Sequence, residues 1–175
     1  MSIKGETYQI NKTSKNTYKQ TKYKVMITHK DSIHILIADD DEDDRAFFSD
    51  AMMELKMNNK LTLFNDGKDL MEYLANPDIV MPHILFLDLN MPYKSGFECL
   101  KEIRADSRFK EVSIAIYSTS SSEKDIEETF IEGANIYIKK PNDFTKLKKV
   151  IKEVLNINWQ FHSSGLNKET FFFSI

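Results

Sequence analysis

A chain of 175 residues, 41% of them apolar, is long enough to close one ordinary domain around a core with some chain left over. Its one cysteine, Cys99, excludes an internal disulfide framework, and no apolar run reaches the roughly 18 residues of a membrane span, so a cytoplasmic setting without membrane contact is expected. The net charge of −3 is divided: residues 1–30 hold seven lysines against Glu6, and the remainder is strongly acidic.

Residues 1–31 are rich in Lys, Thr, Asn and Gln with few apolar residues before Val25, which reads as a flexible basic arm. They carry no dense aromatic and basic platform, so nucleic acid is not the expected partner. From Ser32 onward, short apolar runs alternate with amphipathic stretches. The first run, Ile33 to Ala38, has the length of a buried strand and stops in six consecutive acids, Asp39 to Asp44. A helical pattern follows over Arg45 to Met57, with Phe47, Phe48, Met52 and Met53 read as packing residues. Then come a strand at Leu61 to Phe64, a helix at Asp69 to Leu74, a strand at Ile84 to Leu87 ending in Asp88, and a helix at Gly96 to Ala105 that places Cys99 in the core. The last repeats are Val112 to Tyr117 followed by Ser118 and Thr119, a helix at Glu123 to Glu132, Ile136 to Ile138 followed by Lys139, Lys140 and Pro141, and a helix at Asp143 to Leu155. Five strands alternating with five helices imply right-handed crossovers and an α/β, doubly wound parallel sheet covered on both faces, with ligands beyond the carboxyl ends of the strands.

Each residue at those ends has an ordinary explanation. The acids cap the next helix, Asp88 with Asn90 and Pro92 makes a turn, Ser118 to Ser122 supplies a cap, and Lys140 before Pro141 marks a loop. On one edge of one sheet the same residues have a joint chemistry. Carboxylates from two neighbouring strand ends form a hard oxygen site suited to Mg²⁺, which also accounts for so many acids tolerating one another. A lysine ammonium and a serine hydroxyl bind the oxygens of an incoming phosphoryl group, with Asp88 as the nucleophile. The four histidines, 29, 34, 83 and 162, lack zinc spacing with Cys99 or one another, and no chemical role is expected of His34 or His83.

These motifs resemble, in order and spacing, a response-regulator receiver domain of two-component signalling over residues 32–156. Asp39 and Asp40 are similar to the family's acid pair, Asp88 in Asp-Leu-Asn-Met-Pro to its phosphoacceptor, Ser118 to its Ser/Thr, and Lys140 in Lys-Pro to its lysine. The resemblance implies a flavodoxin-like, five-stranded sheet in order 2-1-3-4-5. It also implies Mg²⁺ held by Asp40, Asp88 and the backbone carbonyl of Asn90, with Asp39 reaching the metal through water, and Tyr137 as an aromatic switch. The partners it implies are a histidine kinase or histidine phosphotransfer protein and an unnamed downstream protein. Turnover of a small substrate is not expected; the domain catalyses only its own phosphorylation and dephosphorylation. A third acid, Asp41, leaves two registers open for the metal-facing pair.

Residues 157–175 are too few for an output domain, so a stand-alone receiver is expected. The apolar clusters of this tail, Trp159-Gln160-Phe161-His162 and Phe171 to Ile175, are expected to dock on the domain or on a partner. Two alternatives are a receiver-like scaffold that is never phosphorylated and a phosphatase of the haloacid-dehalogenase type, for which Asp39-Asp40-Asp41, Ser118 and Lys140 supply candidate groups. That phosphatase family places its nucleophile on the first strand and closes with an acidic motif, whereas only Asp143 follows the lysine here.

Deleting residues 1–30 is expected to leave the melting temperature and the acceptor reaction nearly unchanged, because the arm supplies few apolar contacts and none of the four motifs. Calorimetry of the truncated chain checks this, and a large fall in melting temperature would show that the arm docks.

Overall fold

A computed structural model describes residues 32–157 and 171–173. The basic arm and the Trp159 to His162 cluster lie outside the described residues. In chain order the elements are β1 (Ile33–Ala38), α1 (Glu42–Glu54), β2 (Asn59–Phe64), α2 (Gly67–Ala75), β3 (Ile84–Leu87), α3 (Gly96–Ala105), β4 (Ser113–Ser118), α4 (Glu123–Ile131), β5 (Ile136–Lys139), α5 (Phe144–Leu155) and β6 (Phe172–Phe173). A single 3-10 turn, Ser107–Phe109, leads into β4.

All strand pairs are parallel, and the sheet order is β2-β1-β3-β4-β5-β6. The predicted five-stranded order is therefore present, with a sixth strand added outside β5 by residues of the tail. Three phenylalanines in a row carry no turn signal to bound them as a strand, so this element is invisible to pattern reading.

Because side chains alternate across a strand, each run feeds two cores. Ile35 and Ile37 point with Phe86, Tyr117, Ile138, Phe48, Ile151 and Val154 into the layer under α1 and α5. Leu36, Leu85, Leu87, Ile114, Ile116 and Tyr137 point the other way, against Leu70, Cys99, Leu100 and Ile103. Burial of each such Ile or Leu stabilises the fold by about 1.5–3 kcal/mol, which is why β3, and β4 between its terminal serines, are apolar on both faces. Met52 is buried as expected, but Met53 is 67% exposed: it lies on the outer side of α1 and is not core. Cys99 is buried, and burial pushes its thiol up to about 12. His34 is buried too, with its ring nitrogens near the Val80 carbonyl and Thr62 Oγ1 and its amide donating to His83 Nδ1.

Each of α1 to α5 starts on a side-chain cap just past a strand or loop: Asp41, Asp66, Ser95, Ser122 and Asp143 accept from first-turn amides, and Ser95 forms a full capping box with Glu98. α1 begins at Glu42, three residues earlier than the apolar periodicity indicated, because Asp41 accepts from the amides of Asp43 and Asp44. First-turn acids are also favoured by the positive end of the helix dipole.

At the opposite end of the sheet Arg104 ties three segments together. Its guanidinium donates to the carbonyls of Gly133, Phe109 and Val112 and to Asn135 Oδ1 at 2.7–3.3 Å. Gly133, at φ +91°, supplies the left-handed turn that ends α4 and aims its carbonyl at Arg104. Burial lowers the Arg104 pKa to about 10, still well above neutrality. Replacing Arg104 with Leu removes a donor from all four acceptors, of which Asn135 Oδ1 and the Phe109 carbonyl keep the amides of Ile114 and Val112, and is expected to cost about 3 kcal/mol, measured as a reduced midpoint in urea denaturation with an unchanged slope.

Candidate functional site

The carboxyl ends of β1, β3, β4 and β5 lie side by side, and backbone hydrogen bonds pin the residue after β1, β3 and β5 to a neighbouring strand. The Asp39 amide donates to the Phe64 carbonyl, the Asp88 amide to that of Ala38 and the Lys140 amide to that of Ser118, at 2.8–3.2 Å. The side chains that follow therefore inherit the rigidity of the sheet rather than of a loop. Gly96 makes one of these positions possible: a Cβ there would collide with the Asp88 carbonyl, so a side chain would push α3 off the end of β3.

Asp39, Asp40 and Asp88 bring carboxylate oxygens within 4.8 Å of one another. Asp39 and Asp88 are buried, whereas Asp40 is exposed. Asp41 is not in this cluster, because its carboxylate is spent capping α1. Lys140 reaches in from the end of β5, and its side chain is only 7% exposed. Its ammonium lies 2.8 Å from Asp39 Oδ2, 2.8 Å from Asp44 Oδ2 and 2.9 Å from Asp88 Oδ2, and 5.5 Å from the centre of the Tyr117 ring.

Electrostatics follow from burial and these partners. Burial pushes the Asp39 carboxyl up to about 6, against the opposing pull of Lys140. Burial alone would weaken the Lys140 ammonium, but Asp39, Asp44 and Asp88 together hold its pKa above the ordinary lysine value. Asp44 and Asp88 accept directed hydrogen bonds from Lys140. The approach to Asp39 Oδ2 is as short but off the hydrogen-bonding direction, so that oxygen is buried with a charge nearby and no donor. Three carboxylates around one ammonium, one oxygen of them without a donor, with Asp40 beside Asp39 and Asp88, form a site whose unbalanced charge is negative, and a hard divalent cation fits that donor set.

Ser118 ends β4, between Asp88 beyond β3 and Lys140 beyond β5. It is fully buried, and its Oγ accepts from the Ser120 amide at 3.3 Å. Tyr137 lies in β5 with its ring buried, and its hydroxyl donates to the Ser120 carbonyl at 3.2 Å. Asn90 is exposed, and its amide donates to Asp88 Oδ1 at 3.3 Å, which folds the chain after β3 back over the acid.

Three participants escape the sequence reading. Asp44 is a partner of Lys140 because it occupies the third position of α1, a placement hidden while the helix was expected to start at Arg45. Arg45 donates to the Asp39 carbonyl at 2.8 Å and fastens the same turn. Ser120 joins Ser118 to Tyr137, and only the cap pattern of Ser118 to Ser122 hinted at a structured turn.

Comparison with known proteins agrees with this edge. Residues 35–152 match the response regulator receiver domain family. The chemotaxis protein CheY1 of Helicobacter pylori is 31% identical over 125 residues, covering 71% of this chain and 98% of that protein. The crystal structure of the phosphorylated cyanobacterial phytochrome response regulator RcpA superposes with a TM-score of 0.67 at 26% identity, over 78% of this chain and 98% of that one. The Mn²⁺-bound form of response regulator Rcp1 gives 0.61 at 26% identity, over 70% and 91% of the two chains. These likenesses are to receivers and not to phosphatases of the haloacid-dehalogenase type. With the acids, the hydroxyl and the lysine meeting at the carboxyl edge of a 2-1-3-4-5 sheet, the chain belongs to the response regulator receiver domain family of two-component signalling.

Proposed function

We propose that this chain is a cytoplasmic phosphoacceptor that takes a phosphoryl group on Asp88 from a histidine kinase or histidine phosphotransfer protein and, so modified, changes which protein it binds. The observation that carries this reading is Lys140, a buried ammonium that hydrogen-bonds Asp88 Oδ2 at 2.9 Å while Asp39 Oδ2 beside it has no donor.

Asp88 is the nucleophile. As a carboxylate it needs no base, and its oxygen forms the P–O bond as the P–N bond of a phosphohistidine breaks. Lys140, freed from Asp88 Oδ2 as that oxygen loses its charge, donates instead to the phosphoryl oxygens, while Asp44 keeps the ammonium in place. Asp40, Asp88 and the Asn90 carbonyl would hold Mg²⁺, with Asp39 reaching it through water. When bound, that ion neutralises phosphoryl charge as a Lewis acid. The Ser118 hydroxyl turns from the Ser120 amide to donate to the phosphoryl group, and the Ser118 to Ser122 turn follows it. Tyr137, whose hydroxyl rests on the Ser120 carbonyl, then loses its anchor and rotates, so the readout lies on α4, β5 and α5.

Two outcomes are expected. Isothermal titration should show Mg²⁺ affinity falling by about ten-fold or more in Asp40→Asn, with Asp41→Asn nearly unaffected because Asn caps a helix as well as Asp does. Loss of binding in Asp41→Asn with Asp40→Asn spared would shift the register by one residue.

The second outcome concerns the acceptor and its switch. Asp88→Asn should take no label from a phosphorylated donor. Phosphorylation of the native chain should alter amide exchange over residues 118–132 and near Tyr137 and leave α1 nearly still. Ser118→Ala should accept phosphate yet lose most of that response. A native chain that accepts no label would leave the scaffold reading standing.

A further inference from the structure

The outer edge of β5 is the least polar margin of the sheet. Ile136, Tyr137 and Ile138 are all buried, and charge enters only at Lys139. The opposite margin, β2, alternates Lys60 and Thr62 with its apolar residues and is blunted in the usual way of edge strands. What shields β5 is Phe171–Phe173: Phe172 and Phe173 pair in parallel with Tyr137 and Ile138, and Phe171 is fully buried. The Phe171 ring packs edge-on against Phe130 of α4 at 5.1 Å and against Tyr137 at 6.3 Å, and Phe172 lies 6.0 Å from Tyr137. Phe173 falls on the other face, with the α1 and α5 layer.

We propose that this edge is a strand-docking surface for an extended, aromatic-bearing segment of a partner protein, and that the chain's own Phe171–Phe173 occupies it in the resting state as a displaceable stand-in. Three observations support displacement. β6 pairs over two residues only, too few to be stable alone, and Phe172 and Phe173 are only partly buried. α4, against which Phe171 rests, buries Thr129 but only partly buries Ile126 and Phe130, so it holds the sheet loosely. Finally, contacts run without a gap from Ser118 through Ser120 and Tyr137 to Phe171 and Phe172. A Tyr137 ring that rotates withdraws the surface on which both phenylalanines pack. The segment's chemistry identifies the ligand class: backbone pairing supplies affinity and an aromatic side chain between Tyr137 and Phe130 supplies selectivity. The coupling to phosphorylation rests on the Asp88 reading; the surface itself does not.

A fluorescent peptide spanning Asn167–Ile175, titrated into the full chain and into its Phe171→Ala, Phe172→Ala double variant, tests the surface. A tethered segment acts at millimolar effective concentration and excludes free peptide, so the double variant should bind at least about ten-fold tighter than the native chain. If the double variant unfolds, Phe172→Ala alone, at a partly buried position, should rank the same way. Equal binding, or none to any chain, overturns the docking surface. Amide exchange with Mg²⁺ and beryllofluoride tests the coupling, with the ¹⁹F signal of bound fluoride reporting occupancy. Residues 137–138 and 171–173 should lose protection. A bound signal with unchanged protection overturns the coupling and leaves the Asp88 reading intact. Absence of a bound signal overturns the Asp88 reading and the coupling with it, and the peptide titration still decides the surface. Protection of residues 171–173 that grows with protein concentration would put a second copy's tail on the edge and overturn occupancy in cis.

Discussion

One ammonium organises the carboxyl edge of this protein. Lys140 meets Asp39, Asp44 and Asp88 at 2.8–2.9 Å in a place almost closed to water. Those acids come from the ends of β1 and β3 and from the first turn of α1. Without that cation, two buried carboxylates would face each other uncompensated, which is among the costlier arrangements a fold can hold. With it they are tolerated, and one oxygen of Asp39 is still left without a donor. The same residues thus make a fold contact and present a donor set that fits a hard divalent cation.

The rest of the architecture serves to hold that corner still. Parallel strands bring all their carboxyl ends to one side, so residues far apart in the chain arrive together without a loop having to carry them. Helix caps at Asp41, Ser95, Ser122 and Asp143 begin the next element at once, which keeps the connections short. Gly96 removes the one side chain that would block α3 from lying against the Asp88 backbone. The turn from Ser118 to Ser122 after β4 is held differently, by serine hydroxyls and by the Ser120 to Asp125 contact. The aromatic residues Phe130, Tyr137, Phe171 and Phe172 gather on α4, β5 and the tail, and Tyr137 touches that turn through the Ser120 carbonyl.

Local pattern determined a good deal by itself. β1, β3 and α3 have the residue bounds expected of them, because an uninterrupted apolar run ending in an acid, or an amphipathic stretch after a capping box, needs no distant partner to be recognised. The order of strands and the acid, hydroxyl and lysine at their ends were legible through strict alternation and through likeness to receivers. Tertiary structure alone decided the remainder. Asp44 joins Lys140 across 96 residues of chain, and nothing in an acidic run says which of its members a helix start will turn inward. Asp41 and Asp40 are chemically alike in sequence, and only the start of α1 makes one a cap and leaves the other facing Asp88. β6 exists because β5 offers an apolar edge, not because three phenylalanines prefer to be a strand. Periodicity reports which residues leave water. Which buried charges and edges then meet is set by the crossovers that fold one strand beside another, and that information is long-ranged.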